Sequence, residues 1–286
     1  MVTLKNWRER MSEDMRLRDF RPRTQEGYLL AARQFVEWTG CEPDAITDEQ
    51  VRGYFLYLRE GKKLAPSSIN IAVYAVRFLC LHTLQRDWSV FDLLRVKITE
   101  RLPVVLSRAE VRQVLGAVRH PVRRVVLTTI YALGLRLGEG LGLEAEHIDG
   151  QRLSVSVCDA KGARDRAVPL PRPLLARLRH YWKTERPESA TKYLFVSERN
   201  SAPLHETTLQ KTFTAALRET RIEKHATIHT LRHSYATHLL ENGISLKTIQ
   251  QILGHKSLST TELYLHVTHC GAERVQEVVD RLMLHL

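Results

Sequence analysis

Arg152-Leu-Ser-Val-Ser-Val-Cys158, then Asp159-Ala-Lys-Gly-Ala163, then Arg166-Ala-Val-Pro-Leu170 is the one stretch of this chain that reads as sheet. Leu153, Val155 and Val157 alternate with polar neighbours, the period of a half-buried strand, and turn-forming residues separate the two arms. The spacing predicts a small antiparallel hairpin. Everything on either side of it reads as helix, so the chain is expected to be mainly α, with the sheet confined to its second half.

Upstream, Ser107 and Glu110 have capping-box spacing, with Leu106 and Val111 placed as a hydrophobic staple. A second domain is therefore expected over 107–286. Asp92 to Leu106 mixes charges with Pro103 and has no sustained period, which suits a linker, taken as 91–106. Residues 1–90 read as four helices. One spans Leu4 to Leu17, and another Thr24 to Trp38 with Tyr28, Ala31, Ala32, Phe35 and Trp38 on a stripe. A third follows the capping box Thr47 to Gln50 with Val51, Tyr54, Phe55 and Leu58. The last follows Pro66 with Ile69, Val73, Val76 and Leu79 or Cys80 inward. No repeat of solenoid length is visible.

The 286 residues include 43 Lys and Arg against 32 Asp and Glu, a net charge of +11. Residues 1–99 carry 16 basic and 13 acidic side chains, residues 100–286 carry 27 and 19, so the excess sits mostly in the second half. A polyanionic partner is expected, although basic charge alone is weak support for one. The longest uncharged stretch, Leu64 to Val76, is shorter than the roughly 20 apolar residues of a membrane span, and the opening MVTLKNWRER has no secretory h-region. A cytoplasmic, nucleoid-associated location is expected, with no membrane contact. Cys41, Cys80, Cys158 and Cys270 are far apart and suit free thiols.

Four patches of the second half carry candidate chemistry. Arg136 interrupts the apolar run Ala132 to Leu141, with Glu139 one turn later. Lys161 lies at the hairpin tip, followed by Gly162, Arg164 and Arg166. His229 and Arg232 are three apart, and Leu253-Gly254-His255 ends a helix, with Tyr264 nine residues beyond. Ser259 and Glu262 have capping-box spacing with Leu258 and Leu263 as staple, so a short, separately movable helix is expected to carry Tyr264. His229 and His233 have metal-ligand spacing, but the HExxH glutamate is missing and Arg232 beside a cation is unfavourable. The glycines between Gly134 and Gly140 match neither a P-loop nor GxGxxG. No cofactor and no metal are expected.

In this order Arg136, Lys161, His229, Arg232, His255 and Tyr264 resemble the tyrosine recombinase family, the phage-integrase-like and Xer-like enzymes. The most specific stretch, Ile228 to Val267, contains HTLRHSYATHLLENG and IQQILGHKSLSTTELYLHV. Residues 1–90 resemble the family's core-binding domain more loosely, through Thr24, Tyr28, Phe35 and Trp38. Gly138 and Gly140 stand where the family more often has Ser and an aliphatic residue, and His147 where it often has Asp. Gly in a helix costs about 1 kcal/mol relative to Ala, so a softer helix is expected there.

The resemblance implies a site-specific recombinase that clamps duplex DNA between residues 1–90 and 101–286. Its sites would be inverted repeats, and a homotetramer on DNA would exchange strands through a Holliday junction. The free chain would be a monomer or weak oligomer, and an accessory recombinase or DNA-bending protein is a possible partner. In chemical terms, two guanidinium forks, Arg136 and Arg232, suit the charge that develops on a phosphodiester. Tyr264 would be the nucleophile, favoured as phenolate by the cations, and would form a 3′-phosphotyrosyl link. Lys161 would act as general acid, His229 would move the nucleophile's proton, a protonated His255 would donate to phosphate, and Glu139 would orient Arg136. Tyr235 is the competing tyrosine, more at home in a core. A type IB topoisomerase and a non-catalytic DNA-binding protein are the alternatives. In the tail, Val275, Val278, Val279, Leu282 and Leu286 form an apolar stripe that packs on its own domain or on a neighbouring protomer.

Overall fold

The computed structural model describes residues 7–94, 102–158, 165–189, 191–197, 202–255 and 257–265. Lys161, Cys270 and the tail stripe lie outside the described residues. The chain divides into two compact units, Met1–Glu100 and Arg101–Leu286.

The first unit contains α1 (Trp7–Leu17), α2 (Pro22–Thr39), α3 (Asp48–Leu56), α4 (Pro66–Phe78) and a single turn, α5 (Val90–Leu93). Pro22 opens α2 and Gly40, at φ 64°, closes it. The capping box of α3 forms: the Thr47 N–H donates to Gln50 Oε1 at 2.9 Å and the Gln50 N–H to Thr47 Oγ1 at 3.3 Å. Val51, Tyr54, Phe55 and Leu58 are buried, as are Ile69, Val73, Val76, Leu79 and Cys80 of α4 and its final turn. They share a core with Met11, Met15 and Phe35. Trp38, at the end of the expected stripe, is 39% exposed. Val90 and Phe91 bury their apolar side chains in this core, so the helical unit runs past residue 90 into the segment read as linker.

The second unit runs α6 (Arg108–Ala117), α7 (Pro121–Leu133), α8 (Leu137–Leu141), β1 (Ile148–Asp149), β2 (Ser154–Val157), β3 (Arg166–Pro169), α9 (Arg172–His180), α10 (Glu206–Glu219), α11 (Ile228–Glu241), α12 (Leu246–Leu253) and α13 (Ser259–Glu262). The predicted hairpin pairs Val155 with Val168 and Val157 with Arg166, antiparallel. A two-residue strand, β1, which the alternation is too short to reveal, completes a three-stranded sheet. The fold is thus mainly helical with a small antiparallel sheet. Ser107 caps α6 through Glu110, and Leu106 and Val111 are both buried. The buried Leu106 N–H donates to Ser234 Oγ on α11 at 2.9 Å, which ties the start of this unit to the helix carrying His229 and Arg232. Among the described residues no helix is long and apolar enough to cross a membrane, and Cys41, Cys80 and Cys158 are free thiols.

Candidate active site

The run Ala132 to Leu141 is two helices rather than one. α7 stops at Gly134, whose φ is +61°; a Cβ there would lie 2.4 Å from the Tyr235 ring. Only glycine meets both conditions. Arg136 then takes an extended conformation as the N-cap of α8. Its N–H donates to Glu139 Oε2 at 2.8 Å and its Nη1 to Oε1 at 2.6 Å. Gly140 packs closely as well: a Cβ there would lie 2.7 Å from Ile130 Cγ1. His147 caps a short turn, its Nδ1 accepting the Glu144 N–H at 3.2 Å.

Glu139 does more than orient Arg136. Arg166 of β3 donates to it twice, and Arg232 of α11 brings Nη1 to 3.5 Å of Oε2. Burial would raise this carboxyl, but hydrogen bonds from Arg166 and from the Arg136 backbone outweigh it and hold it at about 2. Arg232 is 1% exposed, and its guanidinium donates to the carbonyls of Gly134 at 2.9 Å and Leu253 at 2.6 Å. These are the C-terminal ends of α7 and α12, where helix dipoles favour a cation. Burial first, and Arg136 second, lower its pKa to about 10, so it stays charged at neutral pH. Arg166 Nε donates to the Ile252 carbonyl at 2.7 Å, and its side chain lies against Gly254, whose φ is +65°.

Along α11, His229 and His233 meet edge to face, centroids 4.6 Å apart. His233 Nδ1 lies 3.1 Å from the hydroxyl of Tyr264, which packs among Ala236, Ile249 and Leu253 at 1% exposure. The His255 ring stacks beside Tyr264 at 6.4 Å, and its Nδ1 lies 3.0 Å from Thr261 Oγ1. Tyr235 sits against Gly134 and edge-on to Tyr131, a core position.

Two expected charge states are corrected. Burial, reinforced by Arg232 and Arg136, lowers His255 to about 3, so it is neutral where the helix terminus suggested a cation. Burial raises the Tyr264 phenol; Arg232 and Arg136 oppose this without reversing it, so the resting side chain is the phenol. His233 is lowered to about 4 by burial, then His229 and Arg232, and His229 is lowered by burial and Arg232. The start of α13 also differs from the expected one, in which Ser259 precedes the helix. α13 begins at Ser259 itself, the helical Leu258 carbonyl accepts from the Thr261 and Glu262 N–H groups, and Leu258 is exposed rather than stapled. Tyr264 follows this turn by two residues.

The structure therefore gathers Arg136, Glu139, His229, Arg232, His255 and Tyr264, while Lys161 lies outside the described residues. Three participants were not singled out from sequence. Arg166 carried a signal, since it shares a strand face with the fully buried Val168; His233 was considered only as half of a metal pair, and Thr261 carried none.

Comparison with known proteins agrees over most of the chain. Residues 105–269 match the phage integrase family, and residues 7–90 match the phage integrase N-terminal SAM-like domain. "Putative integrase/recombinase y4qK" of Sinorhizobium fredii is 42% identical over 261 residues, covering 91% of this chain and 84% of the relative. Tyrosine recombinase XerA of Thermococcus kodakarensis is 32% identical, covering 92% of each. The crystal structure of a XerA recombinase superposes with a TM-score of 0.54 at 27% identity over 97% of this chain and 98% of that one. A lambda integrase dimer bound to a COC′ core site shares the fold with a TM-score of 0.72 at 18% identity, over 91% and 94%. The chain belongs to the phage integrase family of tyrosine recombinases, enzymes that transfer DNA strands.

Proposed function

We propose that this chain is a site-specific recombinase that cuts and rejoins duplex DNA through a 3′-phosphotyrosyl link to Tyr264. The observation that carries the reading is the Tyr264 hydroxyl held beside His233 within electrostatic reach of Arg232 and Arg136. The two guanidinium groups would stabilise charge on the non-bridging phosphate oxygens as the Tyr264 oxygen bonds to phosphorus and the bond to the 5′ oxygen breaks. Lys161 would give that leaving oxygen its proton. The 5′ hydroxyl of a second strand then reverses the step, releasing Tyr264 and leaving a recombinant phosphodiester; the link conserves bond energy, so no nucleotide is consumed. Tyr264 and Arg232 are both covered in the resting chain, so entry of the phosphate would require a local opening that leaves Tyr264 beside His233. Inverted-repeat sites, a tetramer and a Holliday junction complete the reading.

The test uses a nicked duplex recovered by binding to this chain from a random-sequence pool. Covalent protein–DNA adduct on a denaturing gel, formed in EDTA, is expected for the unchanged chain and for Tyr235→Phe, and its loss for Tyr264→Phe with binding retained. An adduct that survives Tyr264→Phe overturns the assignment. Relaxation of plasmids lacking the selected sequence would point to the topoisomerase reading.

A further inference from the structure

We propose that His233 is the group that takes the phenolic proton of Tyr264 as its oxygen attacks phosphorus. This inference rests on the reading of Tyr264 as nucleophile. Sequence reasoning gave proton movement to His229, but the hydrogen-bond geometry selects the neighbour one turn on. His233 Nδ1 is 3.1 Å from the Tyr264 oxygen, within the range for direct transfer. Of the three histidines, His229 meets the His233 ring edge to face, and His255 lies along the face of Tyr264 with Nδ1 on Thr261. At 1% exposure, Tyr264 has no bulk water to receive its proton, so the acceptor must be local.

The step balances without a further reactant. The Tyr264 O–H bond breaks, its proton passes to His233 Nδ1, and its electron pair forms the O–P bond; rejoining returns the proton to the leaving phenolate. His233 faces His229 and Arg232 on its own helix, with Tyr264 and His255 across from it, and burial, with His229 and the Arg232 cation, keeps it neutral and able to accept. Its low basicity in the resting chain is offset by the phosphodiester, whose negative charge favours an imidazolium beside it. Transfer would accompany O–P bond formation, which makes the phenol progressively more acidic.

Single-turnover cleavage of the selected nicked duplex tests this. His233→Ala should slow adduct formation by about 100- to 1,000-fold, in the range ascribed to a general base, with DNA binding and helical circular dichroism retained. Free imidazole should recover at least about tenfold of that loss, with the recovery following neutral imidazole, a response that a packing role would not give. His233→Gln keeps a hydrogen-bond acceptor of similar reach but cannot take a proton, so it should remain slow even if the alanine variant folds poorly. Cleavage within about threefold of the unchanged chain in either variant, or a loss in His233→Ala that imidazole leaves untouched, overturns the proposal. Tyr264→Phe in the same assay separates the two readings: an adduct there removes the nucleophile, whereas no adduct there with fast His233→Gln removes only the proton acceptor.

Discussion

Glu139 and Arg166 are joined by two hydrogen bonds, 3.0 Å from Nη1 to Oε1 and 2.8 Å from Nη2 to Oε2, and both side chains are more than nine-tenths buried. The pair fastens β3 to the α8 cap that carries Arg136, and through Arg166 Nε to the end of α12. Breaking one side of a buried pair leaves the other charge uncompensated, so Arg166→Met should lower unfolding stability by about 3 kcal/mol in urea. Arg166→Lys should recover little, because an ammonium cannot reproduce the two-pronged contact. Glu139→Gln should be at least as damaging, since Arg136, Arg166 and Arg232 then face one another without their shared carboxylate. A change below about 1 kcal/mol in Arg166→Met would place the pair among weak surface contacts.

Stability should fall as the solution is made acidic from pH 7. His233 and His255 titrate at about 4 and about 3 in the folded chain, against 6.5 for a free imidazole. Between those values the unfolded chain binds more protons, so acidification favours unfolding. Allowing for partial exposure, each histidine should contribute a loss of about 1–2 kcal/mol by pH 5. Glu139 adds to the loss lower down, as pH falls from 4.5 towards 2. Thermal unfolding at pH 7, 6 and 5 reads this, and His255→Gln should flatten the slope. A melting temperature constant from pH 7 to 5 would contradict it.

Gly140 should resist replacement by alanine despite its place in a helix. Alanine gains about 1 kcal/mol in helix propensity at most, less in a five-residue helix, whereas overpacking costs about 1–3 kcal/mol. The clash is with Ile130 Cγ1, so the penalty should vanish when Gly140→Ala is made on an Ile130→Ala background. A double-mutant cycle on unfolding free energy checks it; additive effects would show that Ile130 is not the obstacle.

Ser234→Ala should cost about 1–3 kcal/mol, because the Leu106 N–H is buried and loses its acceptor. Hydrogen exchange at Leu106 should accelerate in the variant. Unchanged protection at that amide would mean that the N–H had found another partner.

What was legible in the sequence is what local spacing encodes. The helices of the first unit, the Thr47 and Ser107 caps and the hairpin follow from side chains two to four positions apart, and the ordered motif from Arg136 to Tyr264 named the family. Local spacing misled where a backbone break or a competing turn intervened, as at Gly134 between α7 and α8 and at Leu258 before α13. Only the tertiary structure decided the charge states and the partners. Glu139 meets Arg166 across 27 positions and Tyr264 meets His233 across 31, distances in sequence that no periodicity connects. The neutral His255 and the protonated Tyr264 follow from desolvation, which depends on everything packed around a group and which a residue's neighbours along the chain do not reveal.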